Sequence, residues 1–203
     1  RLIRLNTDGT LDPSFDVRLT TAPASYKMGP FLRLADGRIV VAYFYSPDSP
    51  GNAWETVSRL NADGSLDAAF NPARQPLSGY VVSMAEQPDG KLLLVGKFNQ
   101  VYGTPRRGLA RLNRDGSLDT GFNQNDAVGA RSQTDGGDSD RVSTVALLPG
   151  GQVVVGMFMD DQGGTNCLFQ VDSNGVRNTA FRTALTPTSS LITQLVPLPD
   201  GKT

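Results

Sequence analysis

The sequence predicts an all-β protein assembled from repeated four-stranded antiparallel units, and three observations carry the prediction. A twelve-residue clause is written four times: RLNTDGTLDPSF at 4–15, RLNADGSLDAAF at 59–70, RLNRDGSLDTGF at 111–122 and a worn copy, QVDSNGVRNTAF, at 170–181. A second clause falls between the copies as LADGRIVV at 34–41, QPDGKLLLV at 87–95, LPGGQVVVG at 148–156 and LPDGKT at 198–203. The repeating unit therefore spans roughly 50–60 residues and holds two turn signals. Composition agrees: Glu55 and Glu86 are the only glutamates, lysine is sparse beside arginine, and 22 glycines and 13 prolines join many Asp and Asn. These are the residues that tight turns use, and helix formers are scarce.

The unit from Tyr80 to Asn123 shows the elements most clearly. It reads YVVSMAEQ, the turn Pro88-Asp89-Gly90, KLLLVGKF, a loop, RGLARLN, the turn Arg114-Asp115-Gly116, and SLDTGFN: four short strands, A to D. The second strand carries the uninterrupted triplets Ile39-Val40-Val41, Leu92-Leu93-Leu94 and Val153-Val154-Val155 in successive units. An apolar run without alternation belongs to a strand covered on both faces. Four-stranded antiparallel units that bury both faces against their neighbours are the blades of a β-propeller. In chain order the phase of the two clauses predicts strands C and D alone at 1–16, complete blades at 26–71, 80–123 and 142–182, and a lone strand A at 191–203. That is a partial ring of about three full blades and two partial ones, about fifteen strands in all, expected to be one piece of a larger array that continues into further blades of the same polypeptide.

The turns fix the register. A two-residue loop at Asp8-Gly9 would set Leu5 against Asp12 and Asn6 against Leu11, a double mismatch. A three-residue loop, Thr7-Asp8-Gly9, pairs Leu5 with Leu11 and Arg4 with Asp12, and puts Gly9 in the left-handed region that its missing β-carbon permits. The repeats support this pairing. Arg59 faces Asp67, Arg111 faces Asp119, and in the worn copy both members change together to Gln170 and Asn178. Such cross-strand pairs specify register and contribute about 0.2–1 kcal/mol each.

RLNxDGxLDxxF following xPDGKxLLVG resembles the delta-60 repeat of bacterial, mostly secreted or surface-associated β-propeller proteins, and the resemblance spans essentially the whole chain. It implies a ring of roughly six to eight blades, a non-enzymatic role and an extracellular or cell-surface location. The fourth copy departs from the pattern at Arg177, where leucine is expected.

Function is bounded mainly by what is missing. The chain has no histidine, which removes the commonest general base and transition-metal ligand, and its single cysteine, Cys167, cannot form an intrachain disulfide within it. Nineteen basic residues nearly balance 20 acidic ones and are scattered, which gives no surface for nucleic acid. No apolar run reaches the ~20 residues of a membrane helix.

Blade order places both tight turns of each blade on one side of the ring and the B–C and D–A loops on the other, so variable length gathers on the second side and ligands are expected there. The candidates are few. The loop 123–141, with Asp126, Asp135, Asp138 and Asp140, and the loop 159–166, with Asp160 and Asp161, hold the carboxylates a calcium ion would need, although a solvated surface loop is the favoured reading of both. The NxDGxLD clause itself fails as an EF-hand, because Arg4 and Phe15 fall where carboxylates belong. Tyr43, Phe44, Tyr45, Trp54 and Tyr102 lie in or beside B–C loops; Tyr45, Trp54 and Tyr102 are the candidates for stacking on a ligand, and capping the core is the competing role. No catalytic constellation is present. The expected function is a non-enzymatic binding or display module contacting a protein or glycan at the cell surface, without a cofactor unless calcium. The alternative is a glycan-active or calcium-dependent carbohydrate-binding propeller whose key residues lie in other blades.

Overall fold

The computed structural model describes residues 2–17, 19, 26–45, 54–71, 75–124, 141–148, 151–159, 165–181, 192, 194–196 and 198. These form strands β1 (Tyr26–Arg33), β2 (Ile39–Tyr45), β3 (Trp54–Leu60), β4 (Leu77–Glu86), β5 (Leu92–Val101), β6 (Thr104–Pro105), β7 (Leu109–Leu112), β8 (Arg141–Leu147), β9 (Val153–Met159) and β10 (Thr165–Val171), with no helix among the described residues. They make three antiparallel meanders: β1-β2-β3, β4-β5-β7 with β6 folded back on the end of β5, and β8-β9-β10. One residue pair, Glu55↔Leu77, joins the first two sheets edge to edge.

The core lies between sheets, not within one. On β2, Val40 and Ala42 face the second sheet while Val41 and Tyr43 pack with Leu60 and Leu19 on the other side. On β5, Leu92 and Leu94 join the first cluster, and Leu93 and Val95 pack with Val142, Val153, Val155 and Phe169 of the third sheet. Successive residues of a strand point to opposite faces, so an unbroken apolar run is what a strand between two neighbours requires. Stacked antiparallel meanders with these shared cores are the blades of a β-propeller.

The C–D turns have the three-residue geometry. The Gly9 N–H donates to the Asn6 carbonyl (3.0 Å), Asn6 N–H donates to the Thr10 carbonyl (2.9 Å), and Leu5 bridges Leu11. Gly9, Gly64 and Gly116 have φ of 85°, 87° and 83°, while the preceding aspartates stay at negative φ. Those aspartates accept the N–H two residues on, as Thr10 to Asp8 and Ser65 to Asp63, both 2.9 Å, which closes each turn.

The fourth strand is reduced to one bridge per blade: Leu60↔Leu66, Leu112↔Leu118 and Val171↔Arg177. Ten strands occur among the described residues, nine of them the A, B and C strands of three blades; the first clause too keeps only the Leu5↔Leu11 bridge, and most of the expected strand A at 191–203 lies outside the described residues. The aspartate of LDxxF curtails the fourth strand. Asp67 Oδ1 accepts the Ala69 N–H (3.1 Å) and its carbonyl accepts the Phe70 N–H (3.1 Å), so the chain turns where a strand would continue. The turn throws the phenylalanine beneath the arginine of its own clause: guanidinium to ring centroid is 4.9 Å for Arg4 on Phe15, 4.7 Å for Arg59 on Phe70 and 4.3 Å for Arg111 on Phe122.

Candidate functional site

Each clause arginine makes three kinds of contact. The Nε of Arg59 meets Asp67 at 2.8 Å, its ring partner is Phe70, and its Nη1 donates to the Arg114 carbonyl in the next blade. Arg4 repeats the set with Asp12 and the Ala62 carbonyl, and Arg111 with Asp119 and the Ser173 carbonyl. One residue beyond the phenylalanine, the backbone crosses to the same turn: Asp16 N–H donates to Asp63 O (3.1 Å), Asn71 to Asp115 O (2.9 Å) and Asn123 to Asn174 O (2.9 Å). The predicted arginine–aspartate pairs are thus present, and they belong to latches between blades. In the worn copy, Asn178 Nδ2 donates to Gln170 Oε1 at 2.6 Å, and Arg177, where leucine was expected, lies over the Phe169 ring at 3.9 Å. Burial pushes the Asp67 carboxyl up, but the Arg59 guanidinium, the Ala69 N–H and Arg38 outweigh it and hold the group below the usual carboxylate range.

Three residues in these junctions escape sequence reading. Asn71 and Asn123 have φ of 43° and 51°, and each side-chain amide donates back to its own blade, to Val57 O and Leu109 O, both at 3.0 Å. The repeated Phe-Asn at 70–71 and 122–123 is the signal, since asparagine tolerates the left-handed region. The third is Glu55, only 1% exposed. Its Oε1 accepts the Val81 N–H at 3.0 Å, beside the bulge between Val81 and Ser83 that shifts the β4–β5 register. Oε2 has no partner among the described residues, and burial pushes the carboxyl up to about 7. Across the same junction, Glu86 Oε2 accepts the Ala35 N–H at 2.7 Å. Both glutamates of the chain therefore serve backbone donors between the first two sheets.

Three grooves follow these junctions, one of them along the Arg111–Ser173 latch, and the other two bear on function. One, of about 390 Å³, lies among the tight turns and holds Arg38, Arg59 and Arg114. Its guanidiniums are already engaged: Arg38 meets Asp36 at 2.6 Å and Asp67 at 3.0 Å, and Arg114 bonds the Asp89 carbonyl. The other, of about 460 Å³, joins the D–A segment bearing Asn71 and Gln75 to the B–C segment bearing Tyr102 and Thr104, with Asp115, Ser117 and Thr120 of the next C–D turn along its side.

Tyr102 is held firmly. It forms a two-residue turn with Gly103, at φ of 55° and 73°, between β5 and β6, and its N–H donates to the Pro76 carbonyl at 3.0 Å. Its ring packs on the core between the first two sheets, the capping role that competed with stacking, while its hydroxyl has no partner among the described residues. Burial pushes its phenol up.

The other sequence candidates fall elsewhere. Trp54 begins β3 opposite Tyr45, is half-buried and does not line the groove. Tyr43 is fully buried, its hydroxyl 3.1 Å from Ser58 Oγ, and cannot stack on a ligand. The Tyr45 side chain, Asp126, Asp135, Asp138, Asp140, Asp160 and Asp161 lie outside the described residues. Among the described residues no three of His, Cys, Asp and Glu gather as a metal site.

Comparison with known proteins adds the fold. A family model described as a domain of unknown function (DUF5122) beta-propeller matches residues 1–15, 34–70 and 87–122. The last two segments each run from the A–B turn of a blade to its clause phenylalanine, and the first ends on the corresponding Phe15. No curated protein matches the chain. A crystal structure of a protein of unknown function from Bacteroides caccae resembles it at 17% identity and a TM-score of 0.36, over 87% of this chain and 74% of that one. A likeness so distant carries no argument.

Proposed function

We propose that the chain is a non-enzymatic binding module of a bacterial secreted or cell-surface protein, taking a polar, uncharged ligand such as a glycan chain on the side built from B–C and D–A loops. The resemblance of the clauses to the delta-60 repeat supports the location. The Tyr102 groove supports the binding role: it sets an aromatic ring, a hydroxyl with no partner among the described residues, the Gln75 amide, the Asp115 carboxylate and several hydroxyls along one cleft between those two loops and the next C–D turn. An apolar surface with a few convergent polar groups is how ligand sites orient a polar molecule. A buried hydroxyl lacking a hydrogen bond costs about 1–3 kcal/mol, which a ligand oxygen reaching it would recover.

The test is a glycan array probed with the parent, Tyr102→Phe and Gln75→Ala. Tyr102→Phe deletes only an unbonded hydroxyl, so its stability should equal or exceed that of the parent while its affinity for any captured glycan falls at least fivefold. The captured glycan should be recovered uncleaved. Capture that neither substitution weakens would remove the groove from the proposal, and cleavage of the glycan would make the module an enzyme.

A further inference from the structure

Among the described residues three arginines are buried: Arg59, Arg106 and Arg111, at 6%, 7% and 8% exposed. Two of them rest on carboxylates, since the Nε of Arg59 meets Asp67 at 2.8 Å and that of Arg111 meets Asp119 at 3.0 Å. Arg106 does not. Its Nη1 donates to the Pro105 carbonyl (2.7 Å) and its Nη2 to the Thr120 carbonyl (2.8 Å), its Nε has no partner, and no carboxylate among the described residues pairs with it. A guanidinium stays charged, so the charge and the Nε–H are left without compensation. Burying a charge without a counter-charge is expensive. The blade itself does not need this cation: five residues before Arg59, Arg111 and Gln170, the three units carry Trp54, Arg106 and Thr165.

The position of Arg106 bears on its role. On the β5–β6 hairpin Thr104 pairs with Val101, whose side chain joins the core between the first two sheets, and Arg106, two residues on, points to that same side. There it reaches Thr120, which with Thr104 lines the groove of about 460 Å³. The carboxyls of this junction are committed elsewhere. Asp115 Oδ1 accepts from the N–H and the hydroxyl of Ser117 at 2.9 and 2.7 Å, Asp119 is held by Arg111 and Lys91, and Glu55 meets the Val81 N–H while burial pushes it towards the neutral acid. We infer that the Arg106 guanidinium, behind the Thr104 and Thr120 wall of this groove, is a binding site for a small anion, chloride or a carboxylate. The edge that carries Nε and Nη2 receives it, the same edge that Asp119 occupies on Arg111. Small size follows from burial, because an anion that reaches a buried Nε leaves its water behind. A neutral glycan in the groove would leave this charge as it is, so the anion site and the glycan reading stand or fall separately.

The test follows chloride itself. Its NMR line broadens when the ion exchanges with a protein site, so the excess width measures occupancy. With sodium isethionate as the bulky reference anion and ionic strength held constant, the parent should broaden the line, and Arg106→Gln and Arg106→Met should each reduce the excess about fivefold or more. Arg114→Gln deletes an exposed guanidinium of the other groove and should leave it unchanged. Stability gives a second reading. Replacing isethionate by chloride should shift the parent's unfolding equilibrium towards the native state about tenfold once chloride stands roughly tenfold above its dissociation constant, and should leave Arg106→Met, which buries no charge, unmoved. Formate added to the chloride sample decides the source: a narrowed line puts a carboxylate in the same place, and a line left broad confines the site to the halide. Excess width that both Arg106 variants retain, or a parent whose line and stability respond to neither chloride nor formate, overturns the inference.

Discussion

Glu55 concentrates a charge problem at a single residue. Its carboxyl is buried, bonded through one oxygen to the Val81 N–H and pushed up to about 7 from an ordinary 4.5. The folded protein therefore prefers the neutral acid, whereas the unfolded chain ionises freely above the ordinary value. A raised carboxylic acid contributes stability that is complete below the unfolded pKa and lost as pH rises through the folded one. Folding stability should fall between about pH 4.5 and pH 7 by on the order of 3 kcal/mol. Glu55→Gln should flatten that stretch of the profile, since its carbonyl can still accept from Val81 while nothing titrates. Urea titrations across the window measure this, and an unchanged slope in the Gln variant would assign the pH dependence to another group. The clause aspartates act elsewhere on the scale: Asp67 and Asp119 are held below the ordinary carboxylate value and contribute stability lost only in stronger acid.

At the scale of the element, the clause is a turn that ends by crossing to its neighbour, and Asn71 is the crossing residue. Asn71→Ala removes a side chain that tolerates φ of 43° and the amide bond to Val57 O. It should cost about 2 kcal/mol, and Asn71→Gly, which restores only backbone freedom, about 1 kcal/mol. Chemical denaturation gives both values, and an Ala variant within about 0.5 kcal/mol of the parent would mean the crossing contributes little. The clause also shows what could be read from sequence. Pairing was legible because the partners covary within one chain, as Arg4–Asp12 and Gln170–Asn178 do, and because one glycine per turn selects the loop type. The apolar triplets announced strands buried on both faces. Curtailment of the fourth strand was not legible, because LDxxF keeps the apolar spacing of a strand while its aspartate supplies the bonds of a turn. The bulges in β1, β4 and β8 were hidden too, since an extra residue leaves no compositional mark. The Tyr102 turn was readable only as a loop, and Glu55 looked like one more polar residue on a strand until β3 met β4.

Across the whole molecule, stability is shared between neighbours. Each apolar cluster draws on two adjacent units, and each latch joins a unit to the next, so blades should couple as repeats in a linear array do. Arg111 tests this. It lies over Phe122, meets Asp119 at 2.9 Å, and bonds the Ser173 carbonyl, whereas Asp119 keeps Lys91 at 2.7 Å when the arginine is gone. Arg111→Ala should therefore loosen the third sheet's hold on the second without leaving Asp119 unpaired. A loss of about 2 kcal/mol confined to that junction corresponds to roughly thirtyfold faster opening. Native-state hydrogen exchange should show that acceleration in β8, β9 and β10, while amides of β1 to β3, beyond the neighbouring junction, change less than about twofold. The result that would defeat the argument is a uniform acceleration in all three sheets. The blades would then open as one cooperative body, and the arginine latch would stabilise the molecule as a whole instead of the junction that it spans.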